Sequence, residues 1–168
     1  EEVQNEIEQI TGRINGRFGS FEWQPVALIS TAIPFTELVA YYRVADIAWI
    51  TPLADGLNLV AKEYVSSRTD GDGVLVLSEF AGVAVEMTSA VLTNPFSNNA
   101  MDAAIEQALE MPEEERRHRM KKLRATALGH DIRAWAREQQ RIFDLIQAGD
   151  PDGDDGEETA IPAFGNVA

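Results

Sequence analysis

The sequence predicts an α/β fold in which helices flank a parallel sheet. Two short apolar runs without alternation, residues 47–50 and 74–77, are typical of strands that are covered on both faces. Stretches with apolar residues at three- and four-residue spacing separate these runs, as expected for helices. An alternation of strands and helices favours parallel strands that are joined by right-handed crossover connections.

The first part of the chain supplies a helix, a strand and a second helix. Residues 1–18 are predicted to be helical, with apolar residues along one face and charges on the other. The apolar run 26–30 then predicts a buried strand. Pro34 is typical of a helix start, and the helix is expected to reach Ala45. Asp46 would then open the central strand of the sheet.

The remaining elements follow the same alternation. We expect a helix from Asn58 to about residue 66, a strand at 74–77, a short strand at 90–94, and helices at 100–110, 112–129 and 131–147. The loop 68–73 contains Asp70 and Asp72, but the twelve-residue ligand pattern of a calcium loop is absent. A solvated turn is therefore the better interpretation. The basic residues of 116–124 are likewise interpreted as a solvated helix face.

A turn and a helix start follow the strand at 47–50. Asp55-Gly56 is a turn dipeptide in which Gly56 can take a positive φ or let a ligand approach the backbone. Asn58 is a good N-cap for the helix that follows. Free amides and the positive dipole end of a helix start suit an anion such as a diphosphate. Because α/β sheets bind ligands beyond the carboxyl ends of their strands, this stretch is the candidate site.

Two acidic side chains flank this helix start. Asp55 would lie at the rim, where a carboxylate accepts hydrogen bonds from sugar hydroxyls. Glu63 is about one and a half turns into the helix and can reach a ribose diol. The alternative interpretation is a turn Asp and a solvated helix Glu, and the spacing alone leaves both open.

A second loop follows the strand at 74–77 on the same side of the sheet. Its small residues Ala81 and Gly82 permit a close backbone approach, and Glu79 or Glu86 is a candidate substrate contact. Alternatively, Phe80 plugs the end of the sheet while the two glutamates cap a short helix.

Composition excludes several classes of function. The formal net charge of -14 over 168 residues argues against nucleic acid and anionic membranes as partners. No apolar run approaches the roughly 20 residues that span a bilayer. The absence of cysteine excludes disulfides and fits a cytoplasmic protein. The acidic, glycine-rich residues 148–168 are predicted to be a disordered tail.

The chain shows no sign of several common kinds of catalytic site. His118 lies among helix charges and His130 at a helix end, so solvent exposure or capping is the better interpretation for both. No Ser-His-Asp arrangement, zinc spacing or Walker loop is visible, and we predict neither a metal nor a cofactor.

Three separated motifs identify a family resemblance. They are DGLNLVAKE at 55–63, GVLVLSEFAG at 73–82 and GRINGRFG at 12–19. From about residue 1 to 143 the chain resembles the trehalose-6-phosphate synthase family of retaining GT-B glycosyltransferases. The resemblance implies a Rossmann-like parallel sheet with flanking helices, in which residues 1–147 form most of the C-terminal, nucleotide-sugar-binding domain of a GT-B fold. The N-terminal acceptor domain is expected to be missing from this chain.

The resemblance also implies substrates and site residues. These are a nucleoside diphosphate glucose donor and a phosphorylated small-molecule acceptor, with Asp55 as the catalytic residue and self-association into a homo-oligomer left open. The donor-binding residues implied are Asp55, Gly56, Leu57, Asn58, Leu59, Val60 and Glu63. Because the acceptor half is missing, we expect the chain by itself to be inactive.

Within the family, residues 40–42, 49–53 and 77–80 together with Leu57 resemble the glucosylglycerol-phosphate synthases, which implies transfer from ADP-glucose to glycerol 3-phosphate. The alternatives are trehalose-6-phosphate synthase, acting on UDP- or ADP-glucose and glucose 6-phosphate, and a non-catalytic subunit that binds a sugar nucleotide or assembles with an active partner. Ala54 departs from the Arg usual in both synthases, which removes a basic contact at the mouth of the site.

Overall fold

The structure, a computed structural model, describes residues 2–129 and 132–148. The backbone groups into two compact units, Glu1–Ala40 and Tyr41–Ala168. The elements are α1 (Glu2–Phe18), α2 (Phe35–Val44), β1 (Ile47–Ile50), α3 (Leu59–Ser67), β2 (Val74–Ser78), a short 3-10 helix (Gly82–Val85), β3 (Val91–Thr93), α4 (Asn98–Glu110), α5 (Glu113–Gly129) and α6 (Ile132–Ala148). His130, Asp131 and residues 149–168, which include almost all of the predicted tail, lie outside the described residues.

The second unit contains a parallel sheet, as predicted. Its strand order is β1-β2-β3, with Ile47 paired to Val74 and Val76 paired to Val91. The expectation that β1 is the central, fully covered strand is wrong for the described sheet. β1 lies at an edge and its Trp49 is 38% exposed, whereas every residue of β2 is buried. An apolar run predicts that a strand is covered, but it does not show how many strand neighbours the strand has or how completely its faces are buried.

Helices cover both faces of β2, which explains why this strand is apolar throughout. Leu75 and Leu77 point to one face and belong to a core that includes residues of α3 and α5. Val74 and Val76 point to the other face and pack in a core with residues of α4. Side chains alternate between the faces of a strand, so four successive apolar residues fill both cores.

The first unit confirms one prediction and corrects another. Helix α1 forms as expected, but its apolar stripe is exposed in the described structure, with Val3 at 69% and Ile7 at 46%. Residues 26–30 do not form the predicted strand. Val26 bonds to a side chain instead, because its N–H donates to Asn15 Oδ1 at 2.9 Å and its carbonyl accepts from Asn15 Nδ2 at 2.8 Å. An apolar run becomes a strand only where a neighbouring strand takes up its backbone groups.

The loop 70–73 is a partly solvated turn, with Asp70 exposed as predicted, and it is also held by two arginines. Arg68 donates to both oxygens of Asp70 at 3.0 and 2.9 Å, and Arg116 donates to both oxygens of Asp72 at 2.8 and 3.2 Å. Paired fork geometry of this kind is the strongest form of an ion pair. The carboxylates that suggested a calcium loop are therefore bound to guanidinium groups.

The basic face of α5 is solvated in part, as expected, with Arg117, Lys121 and Lys122 exposed, but Arg124 has partners in α3. Arg124 Nη1 donates to the carbonyls of Val65 and Ser66 at 2.9 and 2.8 Å, near the carboxyl end of α3. A cation at that end complements the helix dipole and satisfies carbonyls that lack intrahelical partners. No helix within 2–129 or 132–148 has the length and apolar character needed to cross a membrane.

Candidate functional site

The Asp55 carboxylate organises the loop between β1 and α3. Its Oδ1 accepts the backbone N–H groups of Leu57 and Asn58, both at 2.9 Å, and its Oδ2 accepts Asn58 Nδ2 at 3.0 Å. The Leu57 amide, followed by the Asn58 side chain, holds the pKa of Asp55 below its ordinary value. The carboxylate is therefore charged and fixed in direction.

Asn58 joins this loop to the helix, as its predicted role of N-cap requires. Its Oδ1 accepts the N–H of Ala61 at 2.9 Å, and the residue is 8% exposed. Its backbone has φ 66°, a left-handed conformation that asparagine tolerates better than most side chains. One amide group thus caps α3 through its oxygen and holds Asp55 through its nitrogen.

Some of the backbone amides expected to bind an anion already donate to an acceptor within the protein. The N–H of Asn58 donates to Asp55, whereas Leu59 and Val60 are the first two residues of α3. The N–H groups of the first turn have no acceptor within their own helix. The amides that this helix start offers to a ligand are therefore those of Leu59 and Val60.

Glycine matters here at Gly82 more than at Gly56. Gly56 does not have a positive φ, so the first of its two expected uses is not seen. A β-carbon on Gly82 would lie 2.1 Å from the Gly56 carbonyl oxygen and 2.7 Å from its carbonyl carbon. Gly82 does permit a close backbone approach, and the group that approaches it is the backbone of the other loop; a ligand contact of the 81–82 segment stays a prediction.

Backbone hydrogen bonds join these two loops. Asp55 N–H donates to Phe80 O at 3.2 Å, Gly82 N–H to Asp55 O at 2.7 Å, and Val83 N–H to Leu57 O at 3.0 Å. The bonds extend the pairing of β1 with β2 beyond the ends of both strands. The Asp55 loop therefore has a fixed position at the carboxyl edge of the sheet.

The glutamates of the second loop have different surroundings. Glu86 Oε2 lies 2.9 Å from Lys62 Nζ on α3, while Glu79 is exposed. The alternative in which both glutamates cap the 3-10 helix holds in part: Glu86 is its C-cap, with a backbone N–H that donates to the Val83 carbonyl, whereas the helix begins after Ala81 without a side-chain cap. Phe80 is 42% exposed and packs edge-on against Phe96 with centroids 5.4 Å apart.

Glu63 lies one turn beyond the start of α3 and has a partner that the sequence did not reveal. It is half-buried, and its Oε2 accepts the hydroxyl of Tyr42 at 3.1 Å. Burial, together with the neighbouring carboxylate, raises the pKa of Tyr42 to about 12. The interpretation of Glu63 as a solvated helix residue is therefore wrong. Tyr42 is 21 positions away on another helix, so no spacing rule indicates the pair.

The site combines the fixed carboxylate of Asp55 in the loop before α3, the free amides at the start of α3, and the carboxylate of Glu63 one turn further along that helix. Hydrogen-bond acceptors flank a donor-rich helix end, which suits a ligand with both hydroxyl groups and an anionic centre. Within the described residues, no group of three or more His, Asp or Glu is arranged to hold a metal ion. His118 is exposed on α5, and His130 lies outside the described part of the chain.

Known proteins match the chain over most of its length. The model of glycosyltransferase family 20 matches residues 1–144. A glucosylglycerol-phosphate synthase from a Picosynechococcus species is 53% identical over 80% of this chain and 27% of its own length. The crystal structure of an α,α-trehalose 6-phosphate synthase from Burkholderia multivorans has a TM-score of 0.81 at 40% identity, covering 88% of this chain and 31% of that chain.

A third relative was solved with a bound sugar phosphate. The α,α-trehalose-phosphate synthase (UDP-forming) from Burkholderia xenovorans, solved in complex with glucose-6-phosphate, has a TM-score of 0.79 at 37% identity and covers 86% of this chain and 32% of that one. The chain therefore spans about a third or less of the proteins that it matches. The predicted fold class, a parallel α/β arrangement of the GT-B type, is confirmed by these structures. The chain belongs to glycosyltransferase family 20.

Proposed function

We propose that this chain is the donor-binding part of a retaining glycosyltransferase that moves glucose from ADP-glucose to glycerol 3-phosphate. The observation that carries the proposal is the Asp55 loop, in which a fixed carboxylate stands at the start of α3. The similarity to a glucosylglycerol-phosphate synthase supports these two substrates. The product would be a phosphorylated glucoside, the precursor of a compatible solute.

In this proposal Asp55 is the catalytic residue that aligns the glucose ring. Three hydrogen bonds from its own loop fix the carboxylate, and each oxygen of a carboxylate has two lone-pair directions. The lone pair of Oδ2 that does not accept from Asn58 accepts a hydrogen bond from a glucose hydroxyl. Gly56 and Leu57 supply the loop backbone around the sugar. A donor held in one orientation loses less entropy on reaching the transition state.

The diphosphate would lie at the helix start. During transfer the bond from glucose C1 to the diphosphate oxygen breaks, a bond from C1 to the acceptor oxygen forms, and the acceptor hydroxyl passes its proton to the leaving diphosphate oxygen. Negative charge grows on the leaving diphosphate, and the amides of Leu59 and Val60 stabilise it with support from the helix dipole. Asn58 holds that helix start in place. Glu63 accepts the ribose hydroxyls.

The proposed protein is longer than this chain. Residues 1–147 would be most of its C-terminal domain, followed by an acidic tail at 148–168, and an N-terminal domain would bind the acceptor. The fraction of each relative that this chain covers supports the division. We propose a cytoplasmic enzyme that needs neither a metal nor a cofactor for the transfer step.

The second candidate is a trehalose-6-phosphate synthase, with UDP- or ADP-glucose as donor and glucose 6-phosphate as acceptor. The UDP-forming relative solved with glucose-6-phosphate favours it. Its sequence identity to this chain is 37%, however, compared with 53% for the glucosylglycerol-phosphate synthase. We therefore rank it second.

The test is a matrix of two donors and two acceptors. Full-length protein is incubated with ADP-glucose or UDP-glucose and with glycerol 3-phosphate or glucose 6-phosphate, and released nucleotide and glucoside phosphate are measured. Turnover highest with ADP-glucose and glycerol 3-phosphate supports the proposal, and highest turnover with glucose 6-phosphate favours the second candidate. No transfer with any pair contradicts both. The 168-residue chain alone should transfer nothing, because a transfer needs donor and acceptor held in contact.

A further inference from the structure

We propose that Tyr42 is a positioning residue that sets the orientation of Glu63 and thereby the recognition of the donor's ribose. This inference rests on the proposed function, because it assumes that Glu63 accepts ribose hydroxyls. The observation behind it is the 3.1 Å hydrogen bond from the Tyr42 hydroxyl to Glu63 Oε2. That bond joins α2 to α3.

The bond occupies one oxygen of the carboxylate and leaves the other available. Among the described residues, no hydrogen bond to Glu63 Oε1 is seen. A free glutamate has three rotatable side-chain bonds, and fixing them on ligand binding costs entropy. A carboxylate that is already held by Tyr42 has lost part of that freedom, so the ligand bears less of the cost.

Tyr42 is itself held by contacts of the last part of α2 with Tyr64 on α3. Its ring meets the ring of Tyr64 edge-to-face, with centroids 6.3 Å apart and an interplanar angle of 79°. Tyr64 is fully buried, and its hydroxyl donates to the carbonyl of Ala45 at 3.2 Å. Ala45 directly follows α2 and lies one helical turn beyond Tyr42, so this bond anchors the end of the helix that carries Tyr42.

Two further residues support the anchor. Arg68, which is 4% exposed, also donates to the Ala45 carbonyl while Asp70 holds its other nitrogens. Gly73 has φ 102°, and a β-carbon there would lie 2.5 Å from the Tyr64 hydroxyl oxygen. The space left by this glycine lets Tyr64 reach Ala45. The position of Tyr42 is therefore set by contacts that do not involve any ligand.

The variant Tyr42→Phe keeps the ring packing and removes the hydrogen bond. Tyr41→Phe is its matched control, because Tyr41 is the neighbouring residue on α2, is 45% exposed, and makes no hydrogen bond through its hydroxyl that is seen in the described residues. Glu63→Gln and the double variant with Tyr42→Phe complete the set. Affinity is measured by calorimetry on full-length protein, with whichever of ADP and UDP the wild type binds and with its 2′,3′-dideoxy analogue.

We expect Tyr42→Phe to weaken binding of the ribonucleotide about three- to tenfold, the range of one hydrogen bond. Affinity for the dideoxy analogue should stay within about twofold, which also shows that the variant is folded. Tyr41→Phe should change neither affinity. In the double variant the loss should be close to that of Glu63→Gln alone, because Tyr42 acts through Glu63.

Three results would overturn the inference alone, and a fourth would overturn the proposed function with it. Equal weakening of both ligands by Tyr42→Phe would mean that the tyrosine only supports the packing of the helices. Unchanged ribonucleotide affinity would mean that Glu63 needs no positioning. Equal affinity of the wild type for the two ligands would remove Glu63 from ribose recognition while leaving the diphosphate site intact. A wild type that binds no nucleoside diphosphate would overturn the proposed function as well.

Discussion

Gly82 lies so close to Gly56 that a β-carbon on Gly82 would be 2.1 Å from the Gly56 carbonyl oxygen. The Gly82 N–H donates to the Asp55 carbonyl at 2.7 Å, so the two loops cannot move apart without breaking this hydrogen bond. The loop that carries the proposed catalytic carboxylate is thus positioned by a residue of another loop. The two loops can lie this close because Gly82 has no side chain.

Gly82→Ala should therefore disturb the site. The methyl group would push the backbone of Gly56 away, at a cost of roughly 1 to 3 kcal/mol in unfolding free energy, as for overpacking elsewhere. Urea denaturation measures this change, and donor affinity should fall with it.

Gly12→Ala is the matched control, because nothing lies within 4 Å of a β-carbon built on Gly12. Gly12 lies inside α1, where alanine is favoured over glycine by about 0.5 to 1 kcal/mol. If Gly82→Ala were as stable and as active as this control, the close packing of the two loops would be required neither for stability nor for donor binding.

Asp55→Ala should lower turnover by about a hundredfold or more, because the sugar loses its aligning acceptor and the Leu57 and Asn58 amides lose theirs. Folding stability should fall far less than turnover does, since the side chain is bonded within its own loop and lies outside both cores. Steady-state kinetics and thermal melting on full-length protein separate the two effects. Asp102→Ala, on an exposed position of α4, is the control. Wild-type turnover in Asp55→Ala would remove Asp55 from the site.

The ionisation of Asp72 should make the free energy of unfolding depend on pH. Its bond with Arg116 lowers the pKa of Asp72 to about 2, below the ordinary value near 4. A carboxyl whose folded pKa is lowered stabilises the fold above its unfolded pKa, and that stabilisation is lost as the pH falls from about 4 to about 2. Asp72→Asn should therefore cost roughly 1 to 2 kcal/mol at pH 7 and much less near pH 2.

Urea denaturation of wild type and Asp72→Asn at several pH values measures the difference. The exposed residue Asp102 on α4 again provides the control, as Asp102→Asn, which should match the wild type throughout. A difference between Asp72→Asn and wild type that stays constant from pH 5 to pH 2.5 would contradict the role of the Arg116 pair.

Local features of the site could be predicted from the sequence because they depend on neighbours in the chain. Asn58 caps α3 through the N–H of Ala61, three residues away, and the turn at Asp55 closes onto Leu57 two residues away. Side-chain oxygens at such spacings bond to nearby amides in most proteins. The family motif at 55–63 pointed to the same stretch.

Features that depend on distant parts of the chain could not be predicted. The pair of Arg116 and Asp72 is separated by 44 positions, and the pair of Tyr42 and Glu63 by 21. The failed strand at 26–30 has the same origin, because pairing depends on which backbone lies beside an apolar run and not on the run itself. Polar pairs of this kind leave no periodicity in a single sequence.

The most direct test of the donor site is hydrogen–deuterium exchange on full-length protein, with and without ADP-glucose or UDP-glucose. If the diphosphate binds the start of α3, peptides that cover residues 55–63 should exchange more slowly with the donor bound, because the amides of Leu59 and Val60 gain acceptors. Peptides over the arginine-held loop 70–73 should be unchanged and serve as the internal control. Donor binding that leaves exchange at 55–63 unaltered would contradict the site proposed here.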